Sequence, residues 1–259
     1  MRNFLEGNIH SELFEVIDEV TQHRPTPLRE FDQIYMLRED LALHLSIISS
    51  WTHGKHVAFV GDFDGVALSL LYAAYLGILP APSSCAVFDF DERVLDWKCT
   101  VSDRLGFGDK LQCVLYNVFD PIPPKYRGTF DLFHTNPPYG QHNRGRSIIA
   151  FLERSMAMTK KGGKGILVLA MDERYRWTKT VLVSVFEFLC SKGVIPVRAL
   201  DRLHRYHLDD QPSLESGIIF LDNIDPSKAF SPDEPLPTYY KSAFYGRHSV
   251  DIPRYIKKH

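Results

Sequence analysis

The apolar positions along this chain change their period once. Over the first fifty residues they fall at helical spacing: Leu13, Val16, Ile17 and Val20 mark one helix, and Leu41, Leu43, Leu45, Ile47 and Ile48 mark a second over Arg38–Ser50. A proline-bearing break, His23-Arg24-Pro25-Thr26-Pro27, separates the two. From His56 onward, short apolar runs alternate with helical stretches. The runs His56–Val60, Cys85–Phe90, Leu111–Leu115, Phe130–His134, Gly165–Ala170, Ile195–Leu200 and Gly217–Leu221 read as strands. Helices are predicted at Val66–Leu76, Arg93–Leu105, Ser147–Met158 and Lys179–Lys192. Fully apolar strands joined by helices predict an α/β fold: a doubly wound, mostly parallel, seven-stranded Rossmann-like sheet. No helical pattern separates the last two strands, which predicts one antiparallel strand at the end of the sheet. The expected organisation is an N-terminal helical segment, 1–50, packed on a sheet-bearing domain, 51–259.

Composition narrows the class. With 259 residues, 44% hydrophobic and 24% charged, the chain has the makings of an ordinary globular core. Neither a spanning run of about 18 apolar residues nor a secretory layout at the N-terminus is seen, so a cytoplasmic protein with no membrane partner is expected. Thirty Lys and Arg against 32 Asp and Glu give a formal charge of −2. That balance argues against nucleic acid as a partner, since phosphate binding calls for a basic surplus; the basic clusters are only Lys160-Lys161 and Lys257-Lys258. Cys85, Cys99, Cys113 and Cys190 are widely spaced, with no C-x-x-C, and three of them fall in stretches expected to be buried. Reduced thiols are therefore expected rather than disulfides or a zinc site.

In a doubly wound sheet the ligand lies beyond the carboxyl ends of the strands. After the first strand comes Gly61-Asp62-Phe63-Asp64-Gly65. Its glycines allow close backbone approach, although G-x-G-x-x-G is absent, and Asp64 could simply cap the next helix. Two carboxylates in one turn would repel an anion and hold a cation. Asp89 and Asp91 close the second strand, where an acidic residue accepts ribose hydroxyls; Asp89 is favoured, and Asp91 is alternatively a helix cap. Asn117 follows the third strand and could accept from an adenine amine. The fourth strand runs into Asn136-Pro137-Pro138-Tyr139, followed by Gly140. The prolines stiffen the backbone, an amide oxygen and a proline carbonyl can accept both protons of an attacking amine, and Tyr139 can pack on the substrate.

These turns, in this order, resemble the S-adenosylmethionine-dependent methyltransferase fold, and NPPY is similar to the catalytic string of amino-methyltransferases. Arg24-Pro25 through Phe31-Asp32-Gln33, with Val60-Gly61-Asp62-Phe63-Asp64, resembles more narrowly the branched-chain polyamine synthases over about residues 24–221. That family carries a G-D-D-D turn and D-P-P; here Phe63, Asn136 and Asn117 stand where it usually has Asp. The N-terminal stretch is expected to be too short for the family's additional winged-helix domain. The resemblance implies a transferase that moves an aminopropyl group from decarboxylated S-adenosylmethionine, as co-substrate, to a small cationic polyamine such as spermidine. The alternatives are a methyltransferase using S-adenosylmethionine on a nucleic-acid base or protein amide, and a non-catalytic nucleoside-binding module.

On that reading the catalytic residues are Asp64 as base with Asn136, Pro137 and Tyr139. The donor is held by Gly61, Asp62, Asp89, Asp91 and Asn117, with Asp62 on the aminopropyl amine. The acceptor is met by Asp32, Gln33, Tyr139, Asp209 and Asp210. His204, His207 and Asp209 have metal-like spacing, but no metal is expected. Residues 203–212 read instead as a loop, either solvated or folded over the site. A homo-oligomer is left open.

Overall fold

The computed structural model describes residues 9–139, 141–241 and 244. Gly140 and Lys257-Lys258 lie outside the described residues. Helix α1 (Glu12–Thr21) and helix α2 (Arg38–Thr52) precede the sheet. Then follow β1 (His56–Val60), α3 (Val66–Tyr75), β2 (Ser84–Asp89), α4 (Glu92–Arg104), β3 (Leu111–Leu115) and β4 (Phe130–Thr135). The second half holds α5 (Arg146–Met158), β5 (Thr159–Ala170), α6 (Arg176–Ser191), β6 (Ile195–His204), β7 (Ser216–Ile224) and the short α7 (Thr238–Lys241).

The strands form one seven-stranded sheet in the order β3-β2-β1-β4-β5-β7-β6. Strands β1 to β5 pair in parallel, whereas β7 is antiparallel to both β5 and β6. The expectation of one antiparallel strand holds, but its place is corrected: β7 inserts between β5 and β6, and β6 is the edge. A short connection from β6 forces an antiparallel return, and β7, apolar on both faces, takes the interior slot. Polar β6 is left at the rim.

Alternate residues of each strand feed opposite faces. Phe59, Val87, Leu132, Ile166 and Phe220 join the core under α1 to α4, while Ala58, Phe88, Phe133, Leu167 and Leu221 join that under α5 and α6. Leu13, Val16, Ile17 and Val20 of α1 belong to the first of these cores. The N-terminal helices therefore share the sheet's apolar packing.

Strand β5 begins six residues earlier than the apolar pattern predicts, through Thr159-Lys160-Lys161-Gly162-Gly163-Lys164. Gly162 has φ +75 and the pairing slips on both sides of this stretch, so the glycines let a polar segment follow the sheet irregularly. The cysteines are free; Cys85 is buried, Cys99 and Cys113 are half-buried and Cys190 is exposed, so fewer are buried than expected. Cys190 lies on the outward side of α6. Among the described residues, no helix is long and apolar enough to cross a membrane.

Candidate active site

The strand order reverses between β1 and β4, so the segments after these two strands face each other. A cavity of about 790 Å³ opens there, walled by Gly61, Asp64, Asp89, Asn117, Asn136 and Tyr139 among others. Its size suits a nucleoside with a second small ligand.

The β1 turn is built by glycines: Gly61 and Gly65 have φ +69 and +81, and a Cβ on Gly65 would come within 2.6 Å of the Trp97 ring. The turn's two carboxylates have different partners. Asp62 accepts from the Val66 and Ala67 N–H groups at the start of α3, at 2.8 and 3.1 Å. Its Oδ2 also meets the Lys98 ammonium at 2.5 Å, and both side chains are buried. Asp62 lines the cavity, but its carboxylate is tied to a helix terminus and a cation. This corrects the expectation that both carboxylates stand open to a cationic ligand.

Asp64 is the open one. Its Oδ1 accepts from the Met36 N–H at 2.7 Å, and its Oδ2 accepts from Asn136 Nδ2 at 3.1 Å. It does not cap α3, whose N-cap position is Gly65. Burial, aided by the negative charge of Asp62, pushes the Asp64 carboxyl up to about 6, against the opposing pull of the Met36 N–H, Arg24 and Asn136. Because Nδ2 of Asn136 is directed to Asp64, its oxygen is left to accept. The string after β4 is further braced by Ser147 Oγ, which donates to the Pro138 carbonyl at 2.8 Å, and Tyr139 donates to the Tyr206 hydroxyl at 2.6 Å.

The Met36 contact exists because the segment before α2 is stitched to the segment after β6. Leu37 N–H donates to the Arg205 carbonyl and His207 N–H to the Tyr35 carbonyl, both at 2.9 Å. Arg24 stacks on Tyr35, 3.5 Å from the ring centre, and Tyr35 stacks on Phe63 with centroids 4.3 Å apart. Phe63, in the middle of the turn, thus forms an aromatic wall with Tyr35 and Arg24.

On the β2 and β3 side, Asp89 is buried and accepts from the Asp91 N–H at 3.0 Å. Burial pushes its carboxyl up to about 6, with N–H groups and Lys98 opposing. Asp91 is engaged otherwise: it caps α4 through the Arg93 N–H, pairs with the Arg93 guanidinium at 2.6 Å and accepts from Gln33 Nε2 at 2.9 Å. Gln33 also accepts from the Leu28 N–H at 2.8 Å, so Gln33 and Asp91 brace the cavity wall. Asn117 accepts from the Phe119 N–H at 3.0 Å and lines the cavity. Phe244 packs edge-on against Phe119 and closes this end. The carboxylate of Asp89 and the amide of Asn117 supply the acceptor and donor groups that a nucleoside requires.

At the mouth, the exposed Asp32 lines the cavity with φ +55. Asp210 also lines it and pairs with Arg29 at 3.0 Å, whereas Asp209 is exposed and absent from the wall. His204 is not a loop residue: it ends β6, fully buried, while His207 is exposed. No cluster among the described residues could hold a metal ion.

Lys98, Met36 and Tyr206 belong to the site without being apparent from sequence motifs. A signal exists for the first, since Lys98 falls four residues after Val94 on the apolar stripe of α4.

The chain is similar to several known proteins. The chain is 29% identical over 161 residues to the N(4)-bis(aminopropyl)spermidine synthase of Thermococcus kodakarensis, covering 61% of this chain and 43% of that protein. It is 26% identical over 131 residues to the enzyme of that name from Methanocaldococcus jannaschii, covering 50% and 35%. The chain thus spans less than half the length of these curated relatives. The branched-chain polyamine synthase of Thermus thermophilus, solved with N4-aminopropylspermidine and 5'-methylthioadenosine, superposes with TM-score 0.73 at 18% identity, over 90% of this chain and 69% of that one. A putative RNA methyltransferase from Pyrococcus horikoshii superposes with TM-score 0.60 at 15% identity, over 83% of this chain and 100% of that one. Both show the methyltransferase-like fold. The family described as the branched-chain polyamine synthase A C-terminal domain matches residues 12–245, and this chain belongs to it.

Proposed function

We propose that this chain is an aminopropyltransferase, taking its group from decarboxylated S-adenosylmethionine and passing it to a polyamine amine such as that of spermidine. One observation carries the reading: Asp64, a buried carboxylate with a raised pKa, is hydrogen-bonded to the Asn136–Tyr139 turn in the wall of the cavity at the switch point. Family membership points the same way. The exposed thiol of Cys190 suits a reducing compartment such as the cytoplasm.

Asp89 and Asn117 hold the nucleoside of the donor, and Asp32 with Asp210 attract the cationic acceptor at the mouth. The charge argument for a donor without a carboxylate now rests on Asp64, because Lys98 balances Asp62. Asp64 takes a proton from the acceptor ammonium, and Asn136 with the Pro137 carbonyl orients the freed lone pair. The nitrogen then forms its bond to the donor carbon as the carbon–sulfur bond breaks, leaving the electron pair on sulfur. Positive charge passes from sulfonium to product amine, so the step balances. Tyr139 and the aromatic wall exclude water, and alignment supplies most of the acceleration.

The test is product analysis by mass spectrometry with spermidine and each donor in turn. Methylthioadenosine with a gain of one aminopropyl unit on spermidine is expected. Adenosylhomocysteine with a methylated acceptor would establish the methyltransferase alternative instead, and nucleoside binding without turnover a binding module.

A further inference from the structure

A continuous buried chain of hydrogen bonds runs from Tyr139 away from the cavity. Tyr139 donates to Tyr206 at 2.6 Å, and Tyr206 meets Ser216 Oγ at 2.8 Å. Ser216 Oγ lies 2.9 Å from His204 Nδ1. His204 Nε2 is 3.2 Å from His44 Nδ1, and His44 Nε2 is 2.8 Å from His134 Nε2. The histidines come from α2, β4 and β6, and neither they nor Ser216 line the cavity. An apolar core of the same volume would pack without the demand that every polar atom find a partner.

The chain has a direction. Burial, with His204 and Lys98 nearby, holds His134 down to about 3, and burial beside His134 holds His44 well below its ordinary value, so both rings are neutral with one N–H each. Nδ1 of His134 is buried and has no hydrogen-bond partner among the described residues. A bare nitrogen costs less there than an orphaned N–H. His134 therefore carries its proton on Nε2 and donates to His44. In turn His44 donates through Nδ1 to His204, and His204 donates through Nδ1 to Ser216.

We propose that His44, His134 and His204 are positioning residues for the transfer: their N–H chain fixes the Ser216 hydroxyl, which with Tyr206 holds the Tyr139 phenol so that its oxygen accepts from the acceptor amine. This rests on the acceptor lying against Asn136–Tyr139. Tyr139 donates its proton to Tyr206, Tyr206 donates to Ser216, and Ser216 donates back to the Tyr139 oxygen, which keeps one lone pair for the cavity; a rotated phenol would present a donor to the amine's cationic form.

The discriminating variants are His204→Leu, which removes the donor to Ser216, and His204→Asn, whose amide N–H replaces Nδ1–H. His204→Leu is expected to lower kcat roughly tenfold, as for one lost orienting hydrogen bond. Methylthioadenosine affinity should stay within about twofold, since its site is on the β2 and β3 side. His204→Asn is expected to restore most of kcat. Equal losses in both variants, or no loss in either, would overturn the proposal. Should His204→Leu fail to fold, Tyr206→Phe breaks the chain at its cavity end, with the same expected loss and the same contrary result. Nitrogen NMR of the imidazoles, read without substrate, should find His134 protonated at Nε2; protonation at Nδ1 would reverse the donor order and overturn the proposal. That measurement stands whether or not the native chain transfers aminopropyl groups, so failure of the two readings can be told apart.

Discussion

Asp62 and Asp64 sit in one turn, two residues apart, both nearly inaccessible, yet they have different physical roles. Asp62 lies against the first N–H groups of α3 and the buried Lys98 ammonium, so its negative charge is matched on both sides. Asp64 has a single backbone donor and one amide, and its carboxyl is pushed up to about 6. The first arrangement fixes a carboxylate between a helix terminus and a cation; the second leaves one ready to take up a proton. Burial alone does not distinguish a structural acid from a chemical one. The partners do.

The comparison is broken most sharply by exchanging each acid for its amide. Asp64→Asn is expected to lower kcat by about 10²–10⁴, the span for loss of a general base, in a single-turnover assay. It should unfold no earlier than the native chain at neutral pH. A carboxyl whose folded pKa is raised favours the fold only when protonated; that contribution is present below its ordinary pKa and lost as pH rises through about 6. Asp62→Asn should act on stability instead, costing about 3–5 kcal/mol in denaturant melts because it leaves Lys98 buried without its counter-charge. Adding Lys98→Met should recover much of that loss, and simple additivity of the two substitutions would show that the pair is not coupled.

These expectations also mark how much the residues disclose by themselves. The apolar runs of the central strands and the helices between them are legible because burial on both faces leaves no polar alternation, whereas β6, at the edge, is marked by only a few apolar residues. The placement of β7 inside the sheet is not, since strand order depends on which edge a short return can reach. Gly61, Asp64, Asp89, Asn117 and the Asn136–Tyr139 string stand out because topology puts ligands after strands. Asp62 looks open in the sequence because its cation lies 36 residues away, on another helix. His204 looks like part of a loop because polar residues crowd the stretch 203–212; strand pairing with Ser216 turns it inward instead.

Smaller effects sharpen the picture. Asn136→Ala should lower kcat/KM roughly tenfold, by loss of one orienting hydrogen bond, with little change in methylthioadenosine affinity measured by calorimetry. Arg29→Ala removes a half-exposed ion pair with Asp210 at the mouth, and thermal unfolding should shift by less than about 1 kcal/mol. Its KM for the polyamine should fall slightly, because Asp210 then offers an unpaired charge to the cation.

The pH dependence of kcat/KM for the native chain tests the division of roles between the two acids most directly. On the proposed reading the reacting forms are ionised Asp64 and the cationic acceptor; with the donor saturating, so that Asp89 is already engaged by the nucleoside, kcat/KM for the polyamine should rise with pH to a plateau through a single acidic limb at about 6. A limb near 4, or none across that range, would contradict the assignment of Asp64 as the proton acceptor.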